Sequence, residues 1–232
     1  MIPLPIVLVP GLLASPRFYV EPLPALWRHG PVFIADHTRD DSMAAIARRI
    51  LAAAPAQFAL VGHSMGGYIA FELMRQAAER IVKLALLDTA ARADTPEQSE
   101  RRRTQIALAQ GGRFADVADL QFPLLVHRLR QGDTALRERI RMMADDTGPE
   151  AFVRQQTAIM HRPDSRPGLA AVHCPTLVLV GDADELTPPD RAREIVAGIR
   201  GARLAVVPEC GHMSAMERPE FVADALVAWL RE

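Results

Sequence analysis

The chain has 232 residues, 49% of them apolar and 24% charged, which is the composition of a globular protein and not of a disordered or collagen-like one. Lysine and arginine number 27 against 28 aspartate and glutamate, a formal charge of −1, so no net field draws the chain toward nucleic acid or an anionic membrane. Two cysteines, Cys174 and Cys210, are too few for a disulfide framework, and a chain this long buries enough apolar surface without one, so a reducing compartment is expected.

The apolar opening at residues 2–14 falls short of the roughly 20 residues that a membrane span needs and has no basic segment ahead of it. It is expected to hold the first strand of a cytoplasmic protein without a transmembrane segment or cleaved leader. Short unbroken apolar runs rich in Val, Leu and Ile follow at 6–9, 32–35, 58–61, 84–87, 176–180 and 204–207, and predict strands buried on both faces. Helical spacing fills the intervals at 43–53, 65–79, 191–199 and 219–230. Strand and helix alternating in this way predict an α/β class, with a doubly wound, mostly parallel sheet of about six strands covered by helices on both faces.

From about 91 to 171 the rhythm breaks. Charged amphipathic segments at 97–110, 113–119, 122–130, 135–144 and 150–160 are punctuated by Gly111-Gly112, Gly132-Asp133 and Gly148-Pro149. This predicts a helical insertion, with residues 1–90 and 172–232 forming the core around it. The run Arg101-Arg102-Arg103 reads as a solvated helix face in preference to a specific anion site, given the neutral total.

Gly62-His63-Ser64-Met65-Gly66-Gly67 follows a buried strand and opens an apolar helix. A serine between strand and helix turns the chain within a few atoms, so the residues two before and two after it must be small. The hydroxyl is then thrust out above the sheet, and the unpaired N–H of Met65 at the helix start faces any oxyanion formed there. Such a hydroxyl needs a base. His212 is the candidate among seven histidines, because Pro208-Glu209-Cys210-Gly211-His212 leaves the last strand at its carboxyl end. His63 leaves the sharp turn in another direction. His29, His37, His127, His161 and His173 read as surface or satisfied core residues, with His127 and His161 the two that could line a pocket.

The orienting carboxylate is expected at the end of another strand, where Gly181-Asp182-Ala183-Asp184-Glu185 offers Asp184. Asp182 reads as a turn-holding residue, Glu185 as solvent-facing, and Asp88, at the end of strand 84–87, as the alternative location. The order Ser64, Asp184, His212 is neither that of chymotrypsin nor that of subtilisin. A second oxyanion donor is expected from Val9-Pro10-Gly11-Leu12, with the N–H of Leu12 in that role.

Taken together, Gly62 to Gly67, the Gly181-Asp182-Ala183-Asp184 turn with Thr187-Pro188 behind it, and Gly211-His212 resemble the α/β-hydrolase superfamily over nearly the whole chain. The resemblance implies serine as nucleophile, histidine as base and aspartate as orienter at Ser64, His212 and Asp184, with Leu12 and Met65 as amide donors and the insertion as a cap. Compact length and cap position look most like esterases and enol-lactonases of the 3-oxoadipate type. Two departures stand out: the leading antiparallel hairpin is absent, and Asp36-His37-Thr38-Arg39-Asp40-Asp41 replaces a glycine-containing loop.

The expected activity is hydrolysis of small to medium, moderately apolar carboxylic esters, with no cofactor and with a small-molecule ester or lactone as the only partner implied. Lactonase, carbon–carbon bond hydrolysis, perhydrolysis and a non-catalytic ligand-binding receptor are the alternatives on the same scaffold. No His/Cys/Asp cluster has the spacing of a metal site, no phosphate loop is present, and both cysteines read as buried free thiols.

Overall fold

In the computed structural model residues 3–232 are described, so Ile2, where the apolar opening begins, lies outside the described residues. The strands are β1 (Ile6–Val9), β2 (Val32–Ile34), β3 (Phe58–His63), β4 (Ile81–Leu87), β5 (Thr176–Gly181) and β6 (Arg203–Val207). They form one sheet in the order β2-β1-β3-β4-β5-β6 with every pairing parallel. Side chains of a strand alternate between faces, so each buried run feeds two layers. Val7, Leu60, Leu86 and Val178 pack toward α2 (Met43–Ala53), α3 (Met65–Ala77) and α8 (Pro189–Gly198). Leu8, Val61, Leu87 and Leu179 pack on the other side against Phe18, Tyr19, α1 (Leu23–Trp27) and α10 (Pro219–Arg231), where Trp229 is fully buried.

The strand order reverses at β1, because the chain moves outward to β2 and then returns past β1 to β3. Crevices at the carboxyl ends of strands open where an α/β sheet reverses in this way. The turns after β1 and β3 therefore flank the crevice, and those after β4, β5 and β6 follow along the same edge.

Several expectations need correction. The edge strands are not buried on both faces: β2 is half-buried, and β6 is largely exposed up to Val207, since each has a neighbour on one side only. The arginine triplet is not wholly solvated either. Successive helical residues point about 100° apart, and Arg102 turns inward to the buried Asp94 carboxylate at 2.6 Å, which Arg162 also meets at 2.6 Å.

Between β4 and β5 the chain runs through α4 (Pro96–Leu108), α5 (Phe114–Leu125), α6 (Thr134–Thr147) and α7 (Pro149–Met160). Segments 113–119 and 122–130 are not two helices. They merge as α5, which tolerates Pro123 near its end and is followed by a short turn at Arg128–Arg130. Asp133 caps α6 by accepting from the Leu136 amide at 2.9 Å. Pro16–Tyr19, α1 and α9 (Ser214–Glu217) escape the sequence reading because four or five residues hold too little periodicity to register.

A tight backbone contact at the sheet edge is testable. A Cβ on Gly66 would lie 2.1 Å from the Val9 carbonyl oxygen, whereas one on Gly111 would meet nothing within 4 Å. Urea denaturation is expected to show Gly66→Ala losing more than about 2 kcal/mol and Gly111→Ala staying within about 0.5 kcal/mol of the parent. Equal midpoints for the two variants would contradict the packing described.

Candidate active site

Ser64 alone separates β3 from α3, and turning the chain over one residue places it at φ 53°, ψ −114°. That left-handed region costs a non-glycine residue about 1–3 kcal/mol and persists only when its surroundings enforce it. Here they do. The Ser64 N–H donates to the Leu87 carbonyl at 2.9 Å, while its own carbonyl accepts from the Gly67 N–H at 2.9 Å and the Thr89 hydroxyl at 2.7 Å.

The Ser64 hydroxyl lies 2.8 Å from His212 Nε2, and His212 Nδ1 lies 2.8 Å from Asp184 Oδ2. A carboxylate only accepts, so Nδ1 carries the proton and Nε2 is left to receive the hydroxyl hydrogen. Asp184 is buried, and burial works against its charge. The facing His212 imidazole, its hydrogen bond and the donors from Thr187 outweigh that effect and hold the carboxyl below its usual range. Those donors are the Leu186 and Thr187 amides, both 2.9 Å from Oδ1, and the Thr187 hydroxyl, 2.7 Å from Oδ2. Burial likewise pushes the His212 imidazole down, but the Asp184 carboxylate reverses the shift and raises it above its ordinary 6.5.

The helical insertion fixes the histidine from behind. The His212 and Met213 amides both donate to the Leu125 carbonyl at the end of α5, at 2.8 and 3.2 Å. Buried Glu217 bridges the same junction, accepting from the Gly211 amide at 3.0 Å and the His127 amide at 2.8 Å. Sequence reasoning does not single out Glu217, whose only signal is its nearness to His212 in the chain.

The rival groups are placed elsewhere. Asp88 accepts from the Gly181 amide at 3.0 Å and from the Ser214 hydroxyl, not from His212 Nδ1, and burial followed by the neighbouring Asp184 charge pushes it up to about 8. Asp182 is exposed and accepts from the Glu209 and Cys210 amides, each at 3.0 Å, so it ties the β5 loop to the β6 loop. Glu185 faces solvent. His63 stacks on Phe18 with ring centroids 3.9 Å apart and donates through Nε2 to the His212 carbonyl at 2.9 Å. Burial, then the nearby His212 charge, lowers it to about 3, so it braces the histidine as a neutral ring. His127 is occupied with the α5 junction and His161 is exposed, and neither lines the cavity described below. Cys210 is buried and Cys174 half-buried, both as free thiols, and burial pushes both up.

Across the crevice, the turn after β1 passes directly over the serine: a Cβ on Gly11 would lie 3.0 Å from Ser64 Cβ. Among the described residues the Leu12 and Met65 amides donate to no protein acceptor. The turn is pinned through its neighbours. Tyr19 donates to the Val9 carbonyl at 3.0 Å, His37 Nε2 to the Gly11 carbonyl at 2.8 Å, and the Leu13 amide, at φ 56°, to Gln155 Oε1 at 3.2 Å. His37 is buried, which lowers its pKa and leaves it neutral. Within the segment 36–41 it is thus a support for the Gly11 turn. Its position after β2 on the carboxyl edge is the signal that could have found it, whereas nothing in the spacing announces Gln155.

A cavity of about 20 Å³ adjoins this turn, lined among others by Leu12, Leu13, Gln121, Leu125, Met143 and Met213. On the helices of the insertion, Phe122, Met143 and Phe152 are buried, and Leu124 and Met142 face outward. No cluster of three or more His, Cys, Asp or Glu able to hold a metal is found among the described residues.

Comparison with known proteins agrees with the architecture. An esterase from Thermogutta terrifontis superposes with a TM-score of 0.90 at 30% identity, covering 99% of this chain and 90% of its own. The enol-lactonase from Burkholderia xenovorans LB400 superposes with a TM-score of 0.89 at 25% identity, covering 99% and 92%. The pimeloyl-[acyl-carrier protein] methyl ester esterase of Nitrosomonas europaea is 27% identical over 223 residues, 89% of this chain and 88% of that protein. The model of the alpha/beta hydrolase family matches residues 6–225, and the chain belongs to that family.

Proposed function

We propose that the chain is a serine hydrolase that cleaves carboxylic ester bonds of small to medium, moderately apolar substrates through an acyl-enzyme on Ser64. The observation that carries this reading is one imidazole, that of His212, held 2.8 Å from the Ser64 hydroxyl and 2.8 Å from the Asp184 carboxylate. Ser64 Oγ bonds to the carbonyl carbon as His212 Nε2 takes its proton, and the ionised Asp184 meets the charge that forms on the ring. The Leu12 and Met65 amides hold the oxyanion, each such donor commonly contributing about 10²–10³ in rate. The ring then protonates the leaving alcohol. Water, deprotonated by the same Nε2, attacks the acyl carbon and releases the acid and Ser64. Each step uses groups of the chain itself and requires no cofactor.

In this reading residues 91–171 act as a cap on a core of 1–90 and 172–232. The mainly apolar lining of the cavity beside the Leu12 turn supports apolar substrates, and its volume of about 20 Å³, room for about one water, means that Leu125, Ile140 and Met143 must yield if an acyl chain is to enter it. The likeness to the Burkholderia enol-lactonase supports a second reading, lactone opening, which is the same sequence of steps on an internal ester. The two free cysteines suit a reducing, cytoplasmic setting, and no helix among the described residues is long and apolar enough to cross a membrane.

A fluorophosphonate probe is expected to label the native chain, with Ser64→Ala and His212→Ala unlabelled. Because His212 must be neutral to accept a proton and its pKa is raised, labelling should slow as the pH falls, with a midpoint above 6.5. Equal labelling of Ser64→Ala, or a midpoint below 6.5, would overturn the assignment. The acid is tested separately with a p-nitrophenyl ester. Asp184→Asn is expected to lower kcat by about 10³–10⁴. Asp88→Asn keeps an oxygen for the Gly181 amide and turns an N–H donor toward Ser214 Oγ, as a carboxyl that burial keeps protonated would turn its O–H, so it should stay within about threefold. The reverse pattern would move the role to Asp88.

A further inference from the structure

Three buried side-chain atoms lack a hydrogen-bond partner among the described residues: Glu21 Oε2, His63 Nδ1 and Gln155 Nε2. The first belongs to a carboxylate whose other oxygen pairs with Arg139, and the second is a ring acceptor pressed against Gly11. Gln155 Nε2 is different in kind. It is an amide with two N–H donors, on a side chain with no solvent exposure, and burying such a group unpaired is costly.

Its orientation is not arbitrary. The Leu13 N–H can only donate, so the oxygen of the Gln155 amide must face it, as it does at 3.2 Å. The nitrogen, on the same carbon, is thereby left beside the turn that carries Leu12, and Leu12, Leu13 and Ala14 all line the small cavity beside that turn. No side chain or backbone group among the described residues pairs with it, so its partner is a molecule bound there, a water or a ligand oxygen.

We propose that Gln155 is a specificity-determining residue: its oxygen fixes the Leu12-Leu13 turn, and its unspent N–H donors recognise a second acceptor oxygen on the substrate, a keto, lactone or ether oxygen beyond the scissile carbonyl. This rests on the ester-hydrolase reading above and narrows its substrate class from plain alkyl esters to oxygenated ones. A neutral amide donor favours a neutral oxygen, and one hydrogen bond of this kind corresponds to about five- to tenfold in affinity.

The test uses Ser64→Ala protein and NMR titration, so that binding is read without turnover. Two matched pairs differ by one oxygenated position: methyl levulinate against methyl valerate on the acyl side, and 2-methoxyethyl acetate against butyl acetate on the alcohol side. The oxygenated member of at least one pair is expected to bind about five- to tenfold more tightly, and the pair that shows the preference identifies the side. Adding Gln155→Met, which keeps the volume and removes both polar functions, should abolish the preference. Loss of turn positioning alone would weaken both members of a pair together and leave their ratio unchanged, so the ratio reports the donors. Absence of a preference in both pairs, or its survival in Gln155→Met, would overturn the proposal. Failure of the hydrolase reading is recorded separately, as native protein that turns over none of the four esters.

Discussion

Ser64 occupies a backbone conformation that serine does not choose, and the surrounding structure exists in the form it does because that conformation must be held. Gly62 and Gly66 allow the backbones to close on each other: a Cβ on Gly62 would lie 2.4 Å from the Gly66 carbonyl oxygen. The flanking strands β1 and β4 then supply the partners. β4 gives the Leu87 carbonyl to the Ser64 amide, and the turn after β1 lies over the serine side chain. Strain of this kind survives where neighbours over-determine it, and here those neighbours are interior strands of the sheet, paired on both sides.

The second feature is that the site does not belong to the sheet alone. His212 is held in front by Asp184 and Ser64, below by His63, and behind by the Leu125 carbonyl of the helical insertion. The turn after β1 is held by β2 through His37 and by α7 through Gln155. Both sides of the crevice are therefore tied to elements far away in sequence, and the helices between β4 and β5 contribute to the position of the imidazole as well as to the wall facing it. Buried charge is arranged so that one carboxylate is ionised and another is not. Asp184 receives four hydrogen bonds, one of them from the facing imidazole, whereas Asp88, with two, is pushed up by burial.

Much of this was legible in the chain because it depends on short-range rules. Apolar runs of four or five residues locate all six strands, and Gly62-His63-Ser64-Met65-Gly66 carries its own geometry, since only small residues permit the turn. Ser64, Asp184 and His212 can be nominated because each follows a strand at its carboxyl end. What the sequence does not reveal is which distant group braces which. Gln155 and Glu217 sit on helices among ordinary polar residues, and nothing local distinguishes them from solvent-facing ones. The inward turn of Arg102 is hidden for the same reason: its partner Asp94 is recognisable only once the helix is packed. The exposure of β6 is hidden because an apolar run does not say whether it has one neighbouring strand or two.

A single measurement bears on whether this constellation performs covalent chemistry. Native protein mixed with p-nitrophenyl acetate, quenched in acid within milliseconds and weighed intact, should show a population heavier by one acetyl group, and fragmentation should place that group on Ser64. No adduct at any quench time while p-nitrophenol is still released, or an acetyl group on another residue, would contradict a serine nucleophile.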